Sequence, residues 1–409
     1  LHRIARALAA IMLLVPVAAA GCAQQSAPKV RPTAAMPTPS PPEPVDLTPE
    51  VAKETFRTYV VNEDVARAAG DERLALTWTS DGQSQLTAAE FRKAAYDGDP
   101  VRRFDYGRPE LYVPKLSPAG YPQWFVASVD RSVVGEPDSG RRVLMSFILR
   151  GADRRWALTS AVVVDRDADL PEVVVDDDGY AEALRSDDTS VLIRPQEMGG
   201  IHATMAAEGD GSVAAKVMEA GSRTSGYYER AEKAKEKAAE DDLTLTVVPT
   251  ATSFPYFGLR TEDGGGLIIY SLYRNSSLTS EAAADDPEAP GPEIPGDAEH
   301  LLDGTVEGNK VDTASTLHFA AYDPPREDGE DGEGGEGGED GEKDAGEGEP
   351  STRESGEPRE TPAGERKRGG EKDGEKKDGG DRKGGAVKAR VIGDSGAVTR
   401  ASTPAPKKN

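Results

Sequence analysis

Ala386–Gly396 reads AVKARVIGDSG. Val387, Ala389 and Val391 alternate with polar residues, which is the period of a β-strand. The stretch follows a run with almost no apolar side chains. Arg326–Pro350 holds twelve acids against two bases, and the mixed acidic and basic sequence continues to Gly385. Such a composition cannot bury a core, so 326–385 is expected to be disordered. Were the run a terminal tail, AVKARVIG would have no strand to pair with. STLHFAAYD (Ser315–Asp323), just before the run, is a strand that needs a neighbour. Loop-closure entropy grows only with the logarithm of length, so about 60 looped residues cost roughly 2 kcal/mol more than a short turn. The run is therefore read as an insertion inside one hairpin. Residues 386–401 become the final strand, and 402–409 a disordered tail.

Outward from this hairpin, some 280 residues suggest two domains. The first, 47–170, opens with LTPEVAKETFRTYVV. Thr48 can cap a helix with Pro49 and Glu50 in its first turn, and Val51, Phe56, Tyr59 and Val60 recur at helical spacing. Thr87 followed by Glu90 predicts the start of a second helix. The period then changes. ELYV (110–113), QWFVASVD (123–130), RVLMSFILR (142–150) and RWALTSAVVV (155–164) are strand-like and separated by turn signals. Helices followed by a meander imply an α+β domain with an antiparallel sheet. The order recurs in 193–325, beyond an acidic linker at 171–192. LTPE at Leu47 is echoed by IRPQ at Ile193, and LYVP at Leu111 by TVVP at Thr246. YPQWF at Tyr121 is echoed by FPYFG at Phe254, and VLMSFILRG at Val143 by LIIYSLYRN at Leu267. A shared order with a drifting offset is the mark of a duplication. Helices with a curved meander resemble the nuclear transport factor-like cone fold, also called SnoaL-like or cystatin-like. That resemblance implies two tandem cone-like domains. It carries no function, because the cone hosts enzymes, binding pockets and bare interaction modules alike.

At the other end, His2, Arg3 and Arg6 precede an uncharged stretch, Ala7–Gly21. About 22 Å of helix is too short for a bilayer but fits a secretory signal over 1–21. Cys22, the sole cysteine, follows Ala19, Ala20 and Gly21. The stretch resembles the bacterial lipoprotein box, which implies acylation of Cys22 and a lipid anchor on the extracytoplasmic face of the membrane. A single cysteine cannot form an internal disulfide, and a thioether to diacylglycerol gives it a role. Residues 22–46 carry seven prolines and read as an extended stalk. The whole layout resembles a family of actinobacterial lipoproteins of unknown function.

No catalytic constellation emerges. The net charge of −24 leaves no basic surface for nucleic acid. GDSG at 393–396 matches the nucleophile motif of chymotrypsin-like proteases, but none of His202, His300 or His318 has a matching context. Asp-Ser-Gly is equally an ordinary turn. DRDADLPEVVVD (165–176) spaces Asp165, Asp167, Asp169 and Asp176 like a calcium loop, yet Leu170 holds the glycine position. Trp78, Trp124, Trp156, Phe125 and Phe147 read as core. The expectation is a membrane-anchored, non-catalytic module with no cofactor and no metal, binding an unknown envelope protein or small ligand. Two alternatives stay open: an enzyme or carrier with a cone pocket, and a divalent-cation-binding surface protein.

Overall fold

Ten strands form one antiparallel sheet, flanked by helices. The computed structural model describes residues 46–326 and 387–403, except 118–119, 287–288, 290, 303–305 and 307. The expected signal (1–21), most of the expected stalk (22–46) with Cys22, the acidic run and the last six residues lie outside the described residues. Those described belong to one compact unit, and none of their helices is long and apolar enough to cross a membrane.

The first half begins with α1 (Pro49–Ala69). Thr48 Oγ1 accepts the N–H of Val51, and Gly70 ends the helix at φ 64°. The short α2 (Glu72–Leu76) precedes α3 (Asp81–Asp97). This third helix starts six residues before Thr87, which sits buried inside it. The sequence obscured that start because Asp81 has a positive φ and Gly82 is a poor helix former. Strands β1 (Phe104–Tyr106), β2 (Glu110–Tyr112), β3 (Gln123–Val133), β4 (Glu136–Leu149) and β5 (Ala157–Val164) follow.

The segment 171–192 runs along the sheet. Val173, Ala181, Leu184 and Val191 are buried, and Val173 and Ala183 bridge to Thr261 and Leu259. The second half has α4 (Met198–Glu208), two 3-10 turns, α5 (Ser225–Glu240) and β6 (Leu243–Ala251). Strands β7 (Phe257–Arg260), β8 (Gly266–Ser280), β9 (Lys310–Asp323) and β10 (Arg390–Ser402) complete it. β10 pairs antiparallel with β9 along its length, from Arg390 opposite Tyr322 to Ser402 opposite Asp312.

The strand order is β1-β3-β4-β5-β10-β9-β8-β6, with β2 also on β3 and β7 also on β8. The two halves thus share one pairing scheme, in which β3, β4 and β5 correspond to β8, β9 and β10. The echo of Val143–Gly151 in Leu267–Asn275 joins β4 to β8, one strand out of step. Strands buried on both faces read as similar apolar runs whatever their place in the order.

Three layers of side chains hold this sheet. α1 packs Phe56 and Tyr59 on Phe125 and Phe147, whose rings stack at 4.8 Å. α4 packs Met198 and Met205 on Tyr270 and Phe319. The inner faces of the two halves meet in a third core, where Val126, Leu144 and Val162 face Phe257, Leu267, Ile269 and Ala320. Each such side chain contributes on the order of 1.5–3 kcal/mol of burial.

Deleting residues 387–401 removes a central strand and should abolish cooperative unfolding in calorimetry. Deleting 327–385 should leave the melting temperature within a few degrees of wild type, because it shortens only the loop between β9 and β10.

Candidate functional site

The GDSG quartet lies where the halves join. β10 meets β5 in only two residue pairs, Gly393 with Val164 and Asp394 with Val163. A Cβ on Gly393 would fall 2.6 Å from the Val163 carbonyl oxygen, so only glycine allows this approach. Ser395 Oγ accepts the N–H of Val163 at 3.0 Å. A Cβ on Gly396 would collide with Leu317. Asp394 accepts from Arg223 Nε at 2.6 Å and from the Tyr227 hydroxyl at 3.3 Å. Arg223 also pairs with Asp165 at the end of β5. Gly393, Asp394 and Ser395 therefore serve the join. Although Ser395 lies directly opposite His318 in the β9–β10 register, its Oγ takes the Val163 N–H while His318 Nδ1 meets Ser271.

The two buried histidines are engaged elsewhere. His202 Nε2 donates to the Arg223 carbonyl at 2.7 Å, so Nδ1 accepts from the Tyr270 hydroxyl at 2.8 Å. His318 Nδ1 lies 2.7 Å from Ser271 Oγ, and its ring sits where a Cβ on Gly82 would be. A hydrolase dyad needs the serine on Nε2 with Nδ1 held by a carboxylate. Here the serine is on Nδ1, and Nε2 has no partner among the described residues. Burial pushes both imidazoles down to about 4, so both are neutral in the folded chain. Their contribution to stability is present above about pH 6.5 and is lost as pH falls toward 4. Asp323 at the end of β9 is fully buried, and both its carboxylate oxygens accept the N–H of Ile193 at 3.1 and 3.3 Å. Burial raises it to about 7, with that N–H opposing the shift.

Two grooves open at the free end of β8 and β9, one on each face. On the face that carries α5, a pocket of about 780 Å³ is lined by Leu243, Leu245, Leu278, Val311, Ala238 and Pro295, with Lys237, Asp241, Asp242 and Glu293 exposed at its edge. On the inner face, a groove of about 570 Å³ has Thr246, Asn275, Ser277, Asp312, Arg400 and Ser402 on its floor and Arg92 of α3 and Leu301 at its sides. The first volume falls in the range of ligand pockets, and its lining is mostly apolar. Neither groove is lined by histidine or cysteine.

The other sequence candidates are separated. Asp176 accepts N–H bonds from Asp178 and Tyr180 within its own turn, while Asp165 faces Arg223. Among the described residues no group of three or more His, Cys, Asp or Glu side chains could hold a metal ion. His300 sits on a half-buried 3-10 turn beyond β8. Phe125, Phe147 and Trp156 belong to the α1 core, Trp78 lies under Arg155, and Trp124 meets Phe257 at 5.1 Å. The sequence reading missed Ser271, Arg400 and both groove linings. A signal existed in LTLTVV (Leu243–Val248), whose alternation gives β6 one apolar and one polar face.

Over residues 43–335 the chain matches the domain of unknown function DUF8094 and belongs to that family. An uncharacterized lipoprotein of Streptomyces avermitilis is 27% identical over 218 residues, which is 53% of this chain and 62% of the relative. Two uncharacterized lipoproteins of Streptomyces coelicolor are similar. One is 25% identical over 63% of this chain and 74% of its own length, the other 28% identical over 43% and 50%. The chain thus spans 62% of the first relative's length. No solved structure matches it.

Two measurements probe this geometry. Gly393→Ala should lower stability in urea titration by about 1–3 kcal/mol through overpacking at the join, against about 1 kcal/mol for Ser395→Ala. Asp323→Asn tests the buried carboxyl. Between about pH 4 and 7 the folded chain keeps a proton on Asp323 that the unfolded chain releases, so this carboxyl's contribution to stability declines as pH rises through that window, opposite in sign to the two histidines. The variant lacks this term. Its advantage over wild type should grow from pH 5 to pH 8, reaching on the order of 1–3 kcal/mol.

Proposed function

We propose that this member of the DUF8094 family is an envelope lipoprotein whose body is a non-catalytic ligand-binding module. Cys22 carries a thioether-linked diacylglycerol on the extracytoplasmic face, and 22–46 lifts the body from the bilayer. The lipobox-like context of Cys22 and the lipoprotein names of three relatives support the anchor. The body is a pair of cone-like halves descended from one ancestor, a reading supported by their common strand-pairing scheme.

One observation carries the binding role: the 780 Å³ pocket beside α5, bounded by leucines of β6 and β8 and Val311 of β9. Such a lining suits an apolar small ligand, and charged groups only at the edge suit binding better than acid–base chemistry. The buried Ser271–His318 pair lines neither groove, so it supplies no reactive group to a ligand there.

Metabolic labelling with an alkynyl fatty acid should tag wild type and leave Cys22→Ala unlabelled; equal labelling would dismiss the anchor. For the pocket, N-phenylnaphthylamine should fluoresce on binding wild type. Leu278→Trp, which fills the pocket from β8, should weaken that binding about tenfold while the melting temperature holds. An unchanged titration would refute the pocket assignment.

A further inference from the structure

The inner-face groove differs in kind from the apolar pocket. Its floor is four strands wide, built from two rows of directly paired residues. Thr246, Ser277, Asp312 and Ser402 form one row, and Val248, Asn275, Ala314 and Arg400 the next. Directly opposed residues share a face, so hydroxyls, an amide and a guanidinium point into one space. Three strand spacings of ~4.8 Å make the floor about 14 Å across. That is too long for a single small anion and long enough for more than one sugar ring.

Charge decides what such a floor accepts. In a chain of net charge −24, this groove presents Arg400 and Arg92. Arg400 has no carboxylate partner among the described residues, and its guanidinium lies over the Tyr273 ring at 5.4 Å. The stacking limits its freedom before any ligand arrives. Arg92 shares Glu72 at 3.1 Å and keeps further N–H groups. The one acid on the floor, Asp312, is held by Lys310 at 2.9 Å and by the Ser277 hydroxyl. A pre-positioned guanidinium with no carboxylate partner among the described residues, beside a hydroxyl and amide floor, matches a carboxylate attached to a hydroxyl-rich body.

We propose that this groove binds an acidic carbohydrate, with Arg400 taking the carboxylate and the floor taking the ring hydroxyls. The site is separate from the apolar pocket and does not rest on it.

The test is calorimetric titration of the full chain in detergent with trigalacturonic acid, with maltotriose and inorganic phosphate as comparison probes. Wild type should bind trigalacturonic acid. Arg400→Ala, an exposed position, should weaken binding by about tenfold or more. Asn275→Trp, which fills the floor from β8, should do the same, and Leu278→Trp should not. No binding of trigalacturonic acid, or equal binding by Arg400→Ala, overturns the proposal. Maltotriose binding as tightly removes the role of the carboxylate, and phosphate displacing trigalacturonic acid at equal concentration reduces the groove to a simple anion site. Either result overturns the assignment to acidic carbohydrate. Loss through Leu278→Trp would show that the sugar sits in the other pocket.

Discussion

Two residue pairs between β5 and β10 hold ten strands in one sheet, and most of the structure depends on that short contact. Gly393 brings the backbones together, Ser395 accepts the Val163 N–H of β5, and Arg223 ties Asp394 to Asp165. Once the edges join, the inner faces of the halves lie against each other and can bury Leu144, Val162, Leu267 and Ile269. The join also sets α3 over β9 and β10, where Gln85 accepts from the Thr316 hydroxyl and donates to Tyr273. A strand that returns after a long acidic run thus supplies the join and one side of the polar groove.

The polar groups at the join orient more than they stabilise. Arg223, Asp165 and Asp394 are each about 30% exposed, so their attraction is screened. Two carboxylates share one guanidinium, and Asp165 is raised by burial and by Asp394 despite Arg223. The net gain comes from the apolar core behind them, while the ion pairs select one edge and one register. The Arg67 cluster in the first half is more deeply buried. Arg67 reaches Glu63 at 2.9 Å, Glu90 at 2.8 Å and the Arg102 carbonyl at 2.9 Å, and Tyr106 donates to Glu63. Removing Arg67 would strand the buried Glu63 carboxylate, and its bonds to Glu63, Glu90 and the Arg102 carbonyl tie α1 to α3 and to the approach of β1.

Local features were legible in the sequence, and relations between distant strands were not. The Thr48–Pro49 start of α1 could be read because capping is a short-range interaction. The α+β order, the apolar strands and a strand after the acidic run could be read from period alone. The correspondence of the halves slipped by one strand, because Val143–Gly151 and Leu267–Asn275 are alike in composition and only their partners tell them apart. GDSG, set aside as a nucleophile motif and read as a turn, lies inside β10 instead, because four small and polar residues suit a turn and a tight strand join equally well. The grooves were invisible because each draws on three or four strands, and the residue that gives the polar one its charge, Arg400, lies on a strand whose partner is far away in sequence.

The two grooves owe their opposite chemistry to a single register. The ends of β6, β8 and β9 carry α5 on one face and border the polar groove on the other. Leu243 and Leu245 alternate with Thr244 and Thr246, Leu278 with Ser277, and Val311 with Asp312. Pairing of Leu245 with Leu278 and of Leu278 with Val311 puts all three on the α5 face. The same pairing gathers Thr246, Ser277 and Asp312 on the other. A slip of one residue in β6 alone would put threonines into the apolar pocket and leucines into the polar groove. The register is fixed far from either groove, by Tyr270 and Phe319 packing under α4 and by Leu267 and Ile269 in the inner core. Core packing that touches no ligand therefore determines which chemistry each face presents.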